Sequence, residues 1–175
     1  MLSAMKMVNK LQPKLKRTGF YPASAKDYRE PLALLKGWID HLIFCDLNVA
    51  PNSRSIVTEL RKEIVSNDLP EASFILGDAL SILQWMKPVD IFFVRHDSTC
   101  EGGSHLALLQ AARIRLVLNV IKLGGLLVVD KQNGFLWLTR MLSGKSPTYP
   151  VDNRVLYLRV EQPWIEHGLY AVIVD

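Results

Sequence analysis

The chain has 175 residues, 49% of them hydrophobic, which suits one domain with a sizeable core and excludes an intrinsically disordered protein. No stretch approaches the roughly 18 to 20 apolar residues needed to span a bilayer, and Lys6 breaks the N-terminus before a signal core forms, so an intracellular, cytoplasmic protein is expected. Two cysteines make no disulfide framework. The net charge of +4 is partly local, since Lys6, Lys10, Lys14, Lys16 and Arg17 fall in the first 17 residues. Lys6, Lys10 and Lys14 share a helical face and could meet phosphate, but a solvated face is the stronger reading. Nucleic acid is therefore not assigned as a partner.

Taken in order, residues 2 to 12 predict a short helix ended by Pro13, and residues 1–17 read as a basic helical extension of a single domain over 18–175. Thr18 to Pro22 is a short strand, followed by a loop through Asp27. Pro31 opens a helix with apolar positions at Leu32, Leu34, Leu35 and Trp38. His41 to Asp46 is a strand ending in an acid, with Cys45 expected as a buried free thiol. Ile56, Leu60 and Ile64 mark a helix to about Ser66. Ala72 to Leu76 is a strand closing at Gly77-Asp78, and a short helix runs over Leu80 to Trp85.

Val89 to Arg95 and Gly125 to Asp130 are apolar runs without polar alternation, as strands covered on both faces require. The apolar spacing of Leu106, Leu109, Ala112, Leu116 and Val120 predicts one long helix from Ser104 to Lys122 between them, stopped by Gly124-Gly125. Gly134 to Leu142 predicts another helix. Ser143 to Pro150, rich in Ser, Gly and Pro, reads as a loop. Arg154 to Glu161 and Gly168 to Val174 predict a closing hairpin. The expected architecture is α/β: a doubly wound, mostly parallel, seven-stranded sheet with a C-terminal antiparallel hairpin.

This order of elements, with Asp46, the Gly77-Asp78-Ala79 step and the strand Gly124-Gly125-Leu126-Leu127-Val128-Val129, resembles the Rossmann-like class of S-adenosylmethionine-dependent methyltransferases. The resemblance covers residues 18 to 175. It implies S-adenosylmethionine as a small nucleoside cofactor and a methyl acceptor of unknown identity. It places Asp46, followed by Leu47, on the ribose hydroxyls, which suits a carboxylate that only accepts hydrogen bonds. It also places Asp78 near the adenine amino group and Ala79 near the ring. Asp46 can equally be a strand-ending turn residue, and Asp78 can also cap the following helix.

The family's first motif is a glycine-rich turn, and the corresponding stretch here is Tyr21-Pro22-Ala23-Ser24-Ala25-Lys26-Asp27, without glycine. Tyr21, Pro22, Ala23, Ser24 and Asp27 are the candidates for the cofactor's methionine end, and because alanine does not readily take positive φ, an altered backbone path is expected. The loop after the fourth strand carries the catalytic candidates. His96 or Asp97 would remove an acceptor proton, and Glu101 would orient the base. The competing reading is a polar loop in which Ser104 caps a helix. His96, Cys100 and His105 fit no standard zinc spacing, so no metal is expected. A non-catalytic binding or assembly module on the same fold is the alternative function.

Overall fold

The computed structural model describes residues 16–24, 27–47, 53–95, 108–110, 112–130, 136–146, 148–159 and 165–175. Five parallel strands form one half of the sheet and its edge: β1 (Thr18–Pro22), β2 (His41–Asp46), β3 (Glu71–Leu76), β4 (Val89–Val94) and β5 (Ile121–Asp130). They are joined through α1 (Arg29–Leu34), α2 (Ser53–Asn67), α3 (Ala79–Leu83) and α4 (Ile114–Asn119), and α5 (Leu136–Leu142) follows β5. Three antiparallel strands complete the sheet: β6 (Thr148–Val151), β7 (Arg154–Arg159) and β8 (Leu169–Val174). The order is β3-β2-β1-β4-β5-β8-β7-β6.

Four of the parallel strands, β1, β2, β4 and β5, form as read because their apolar side chains are buried on both faces, while β3 at the sheet edge is only half-buried. Phe20, Phe92 and Leu127 belong to a core with Ile82, Val117, Leu118, Leu138 and Met141 of α3, α4 and α5. Their strand neighbours Tyr21, Phe93 and Val128 point the other way, into a core with Leu32 of α1 and Leu60 of α2. The chain thus winds to one face through β1, β2 and β3 and to the other beyond β3. The reversal falls between β1 and β4, where an open α/β sheet leaves a crevice at the carboxyl ends of its strands.

Three expectations are corrected. The sheet has eight strands, not seven, because Thr148–Val151, which begins in the segment Ser143 to Pro150 read as loop, pairs antiparallel with β7. Pro150 is tolerated there because β6 is the sheet's edge, where a missing N–H costs no ladder bond.

The helix expected over 104–122 is helical only from Ile114 to Asn119 among the described residues. Val120 gives its carbonyl to the Val89 N–H at 2.8 Å, and the β-branched Ile121 is already in β5. Gly124-Gly125 is therefore not a helix stop but lies inside β5, where the register with β4 shifts between Val89 and Ile91 and Gly124 takes φ +73°. Asp90 pins this irregularity by accepting from Thr18 N–H at 2.7 Å and from Lys122 Nζ at 2.8 Å.

The hairpin was expected to join 154–161 and 168–174, and β7 and β8 do pair antiparallel, with β8 inserted beside β5. The third correction concerns the turn after β1, where Ala23 takes φ +52° despite its Cβ. Cys45 is a buried free thiol, as read. Among the described residues no helix is long and apolar enough to cross a membrane. The expected helix at 2–12 and the face of Lys6, Lys10 and Lys14 lie outside the described residues.

Candidate functional site

The carboxyl ends of β1, β2, β4 and β5 bring Tyr21, Asp46, Arg95 and Asp130 to the α1 side of the sheet by strand alternation, in register with Phe44, Phe93 and Val128 one turn of pleat below. The turn after β1 is held against β2. Ser24, 2% exposed, donates its N–H to Cys45 O at 3.1 Å, which continues the parallel ladder past Pro22 and forces Ala23 into the left-handed region. Asp27 N–H then bonds back to Ser24 O at 2.9 Å, closing the turn into α1. Pro22 and Ser24 are buried and Ala23 is half-buried, so a glycine-like backbone shape exists without glycine.

Tyr21 donates its hydroxyl to Asp27 Oδ2 at 3.0 Å, while its ring packs edge-on to Phe93 at 4.9 Å between centroids. Burial, reinforced by the Asp27 charge, pushes the Tyr21 phenol above its usual range, so it remains a donor at any ordinary pH. Arg95 follows the last residue of β4. Its Nη1 lies 2.5 Å from Glu30 Oε2 and 3.9 Å from Asp27 Oδ2. Burial opposes the charge on Arg95, but the bond to Glu30 and the charges of Asp27 and Glu30 outweigh it and hold the guanidinium above its usual range. Glu30 turns its other oxygen to His167 Nδ1 at 3.2 Å, which links the turn before β8 to the first turn of α1. The bond from Arg95 comes first in holding Glu30 below the usual carboxylate range.

Asp46 is half-buried at the end of β2, beside the ring cluster of Tyr28, Phe44 and Phe74. The Tyr28 phenol is pushed upward by burial and then by the Asp46 charge. Leu47, just beyond, is 65% exposed. Asp78 caps α3: its Oδ2 accepts from Ser81 N–H at 2.8 Å and Ser81 Oγ at 2.7 Å, and these bonds hold it below the usual carboxylate range. Ala79 is buried against Ile82, so its methyl is a core group of α3.

The structure therefore brings Tyr21, Ala23, Ser24 and Asp27 together with the end of β2, and it sets Asp78 on the outer strand as a helix cap. His96, Asp97 and Glu101 lie outside the described residues, as do Ala25, Lys26, Cys100 and His105. Among the described residues, no three His, Cys, Asp or Glu side chains gather as a metal site would need. Two members of the cluster were not singled out from sequence, Glu30 and Arg95. The available signal for Arg95 was a cation directly after an apolar strand at the ligand edge of a doubly wound sheet.

No family model and no curated protein matches the chain. Among solved structures it is similar to yhhF from Escherichia coli, named as a candidate methyltransferase: 17% identity over 97% of this chain and 83% of that one, TM-score 0.47. SMU.1697c from Streptococcus mutans, also named as a candidate methyltransferase and solved in complex with SAH, is 11% identical over 97% of this chain and 96% of its own, TM-score 0.47. TrmN from Thermus thermophilus is 14% identical, TM-score 0.47; the match takes in 98% of this chain but only 46% of TrmN. At these identities and TM-scores the likenesses assign nothing to this chain, whose α/β fold stands on its own sheet order.

Proposed function

We propose that the chain binds S-adenosylmethionine or a related nucleoside along the carboxyl ends of β1, β2 and β3, as a methyltransferase-like protein whose acceptor is unknown. One observation carries this reading: the turn after β1 takes the left-handed backbone at Ala23 and is tied by Ser24 to Cys45, directly before Asp46. That removes the main objection to a glycine-free first turn, because the backbone path a glycine would permit is present. The charges also suit the group. Among the described residues, Asp27 and Glu30 follow β1, Asp46 ends β2, Asp130 ends β5, and the guanidinium of Arg95 pairs with the first two, a balance that favours a sulfonium cation.

In this reading Asp46 accepts the ribose hydroxyls, Leu47 flanks it, and Asp78 and Ala79 lie toward the base. Tyr21, Pro22, Ala23, Ser24 and Asp27 line the methionine end. His96 or Asp97 takes the acceptor proton, with Glu101 orienting it. When bound, S-adenosylmethionine would supply an electrophilic methyl group. The expected result is measurable calorimetric binding by the parent chain and a loss of about 1.5 to 3 kcal/mol in Asp46→Ala, the range for hydrogen bonds to a charged group. Unchanged affinity in the variant removes Asp46 from the site.

The second reading is a non-catalytic binding or assembly module of the same fold. It is favoured by the ion pair of Arg95 with Glu30, which ties the end of β4 to the first turn of α1. A flat titration at millimolar ligand with a folded sample selects it.

A further inference from the structure

Arg95 stands at the end of β4, and its two carboxylate partners stand on the segment that leaves β1: Asp27 in the turn and Glu30 in the first turn of α1. The ion pairs therefore span the gap between the two strand ends where the winding reverses, the place at which a ligand enters such a sheet. The guanidinium is the inner member of the group, with its side chain 14% exposed against 32% for Asp27 and 41% for Glu30. Among the described residues, the groups around it include the Tyr21 hydroxyl, bonded to Asp27, His167, bonded to the far oxygen of Glu30, and Asp130, whose charge acts on Tyr21 in the opposite sense to that of Arg95. A bridge whose covered end is the cation satisfies an acidic crevice from within.

We infer that Arg95 is an internal cation closing the crevice between β1 and β4, and that a positively charged ligand group enters only by displacing it from Asp27 and Glu30. The inference rests on the nucleoside reading above and adds a charge rule to it. A cationic ligand competes with Arg95 for the same carboxylates, whereas a neutral ligand of the same shape gains nothing from its removal. Opening the bridge also frees α1 from the end of β4, since Glu30 and Asp27 lie on the α1 side and Arg95 on the sheet side. The contact is thus autoinhibitory toward cations.

The test uses S-adenosylmethionine, a sulfonium, and S-adenosylhomocysteine, which lacks the methyl group and the sulfonium charge but keeps the same ammonium and carboxylate, so the ratio of the two reads the sulfonium alone. Calorimetric titration of the parent, Arg95→Gln and Arg95→Lys is compared, with melting curves to confirm folding. Arg95→Gln should tighten S-adenosylmethionine by roughly five- to tenfold relative to S-adenosylhomocysteine, as expected for losing one partly screened competing charge. Arg95→Lys, which keeps the charge, should leave the ratio near that of the parent. A ratio unchanged in Arg95→Gln, with both ligands still bound, overturns the inference and leaves the nucleoside reading standing. Failure of both ligands to bind the folded parent and the folded Arg95→Gln variant overturns both.

A second measurement does not depend on the variant's stability. In the parent, saturation with S-adenosylmethionine should expose the Arg95 Nη–H groups to rapid exchange with water, and S-adenosylhomocysteine should leave them protected. Equal protection with the two ligands counts against displacement.

Discussion

Ser24 donates its backbone N–H to the carbonyl oxygen of Cys45 at 3.1 Å, and this one bond sets the shape of the turn between β1 and α1. The parallel ladder of β1 and β2 ends formally at Pro22 opposite Cys45, and Pro22 has no N–H to give. Ser24 supplies the donor instead. To bring it into place the chain turns at Ala23 through φ +52°, where an L side chain is strained.

Ala23→Gly should therefore stabilise the chain. Relief of left-handed strain outweighs the extra freedom glycine gives the unfolded state, for a net gain of about 0.5 to 1 kcal/mol. Ala23→Val should cost more than about 1 kcal/mol, because a β-branched residue tolerates this region worst. Urea unfolding of the two variants checks both signs, and a destabilised Ala23→Gly would show that the turn does not need the left-handed backbone.

The adjacent glycines of β5 separate two different demands. Gly124 takes φ +73° with open space around it, so Gly124→Ala should cost only the backbone strain, about 1 kcal/mol. Gly125 is crowded: an added Cβ would lie 2.8 Å from Lys122 O and 3.0 Å from Asp90 O, both backbone atoms that cannot swing aside. Gly125→Ala should cost about 2 to 3 kcal/mol, the overpacking range, and should loosen the bond between Asp90 and Thr18 N–H. Equal penalties for the two variants in thermal unfolding would contradict the close approach of β5 to β4.

Val89–Val94 and Leu126–Val129 were legible because each is an apolar run with no polar alternation, and burial on both faces leaves no other stable outcome for them. The antiparallel pairing of β7 with β8 followed from two strands without a helix between them. What was not legible depends on partners far along the chain. Val120 and Ile121 carry a helical spacing, yet the free edge of β4 draws them into the ladder. Pro150 argues against a strand until its place at the sheet edge is known. Asp78 was readable both as a ligand and as a cap, and the structure shows the cap. Ala23 has no local signal for positive φ, which comes from the bond to Cys45. The bridge from Arg95 to Glu30 crosses from β4 to α1, and no spacing rule joins residues so placed.

That bridge gives stability a definite pH dependence. The pKa of Glu30 in the folded state lies below its ordinary value, chiefly through the bond from Arg95 and despite partial burial, with His167 adding to the effect. A carboxyl group lowered on folding stabilises the fold fully above its unfolded value, roughly 4.3, and the contribution is lost as pH falls through the lower folded value. Glu30→Gln should therefore be less stable than the parent at pH 7, and the gap should narrow below about pH 4 and close once the parent's Glu30 is protonated. Arg95 stays charged throughout this window, with Asp27, 3.9 Å from it, as its second carboxylate. Because the Glu30 side chain is 41% exposed, added salt should also shrink the pH 7 gap. Urea midpoints of parent and variant from pH 3 to 7, at low and high salt, measure both effects. A gap that widens toward acid pH would mean that Glu30 is protonated in the fold and does not pair with Arg95 as a carboxylate.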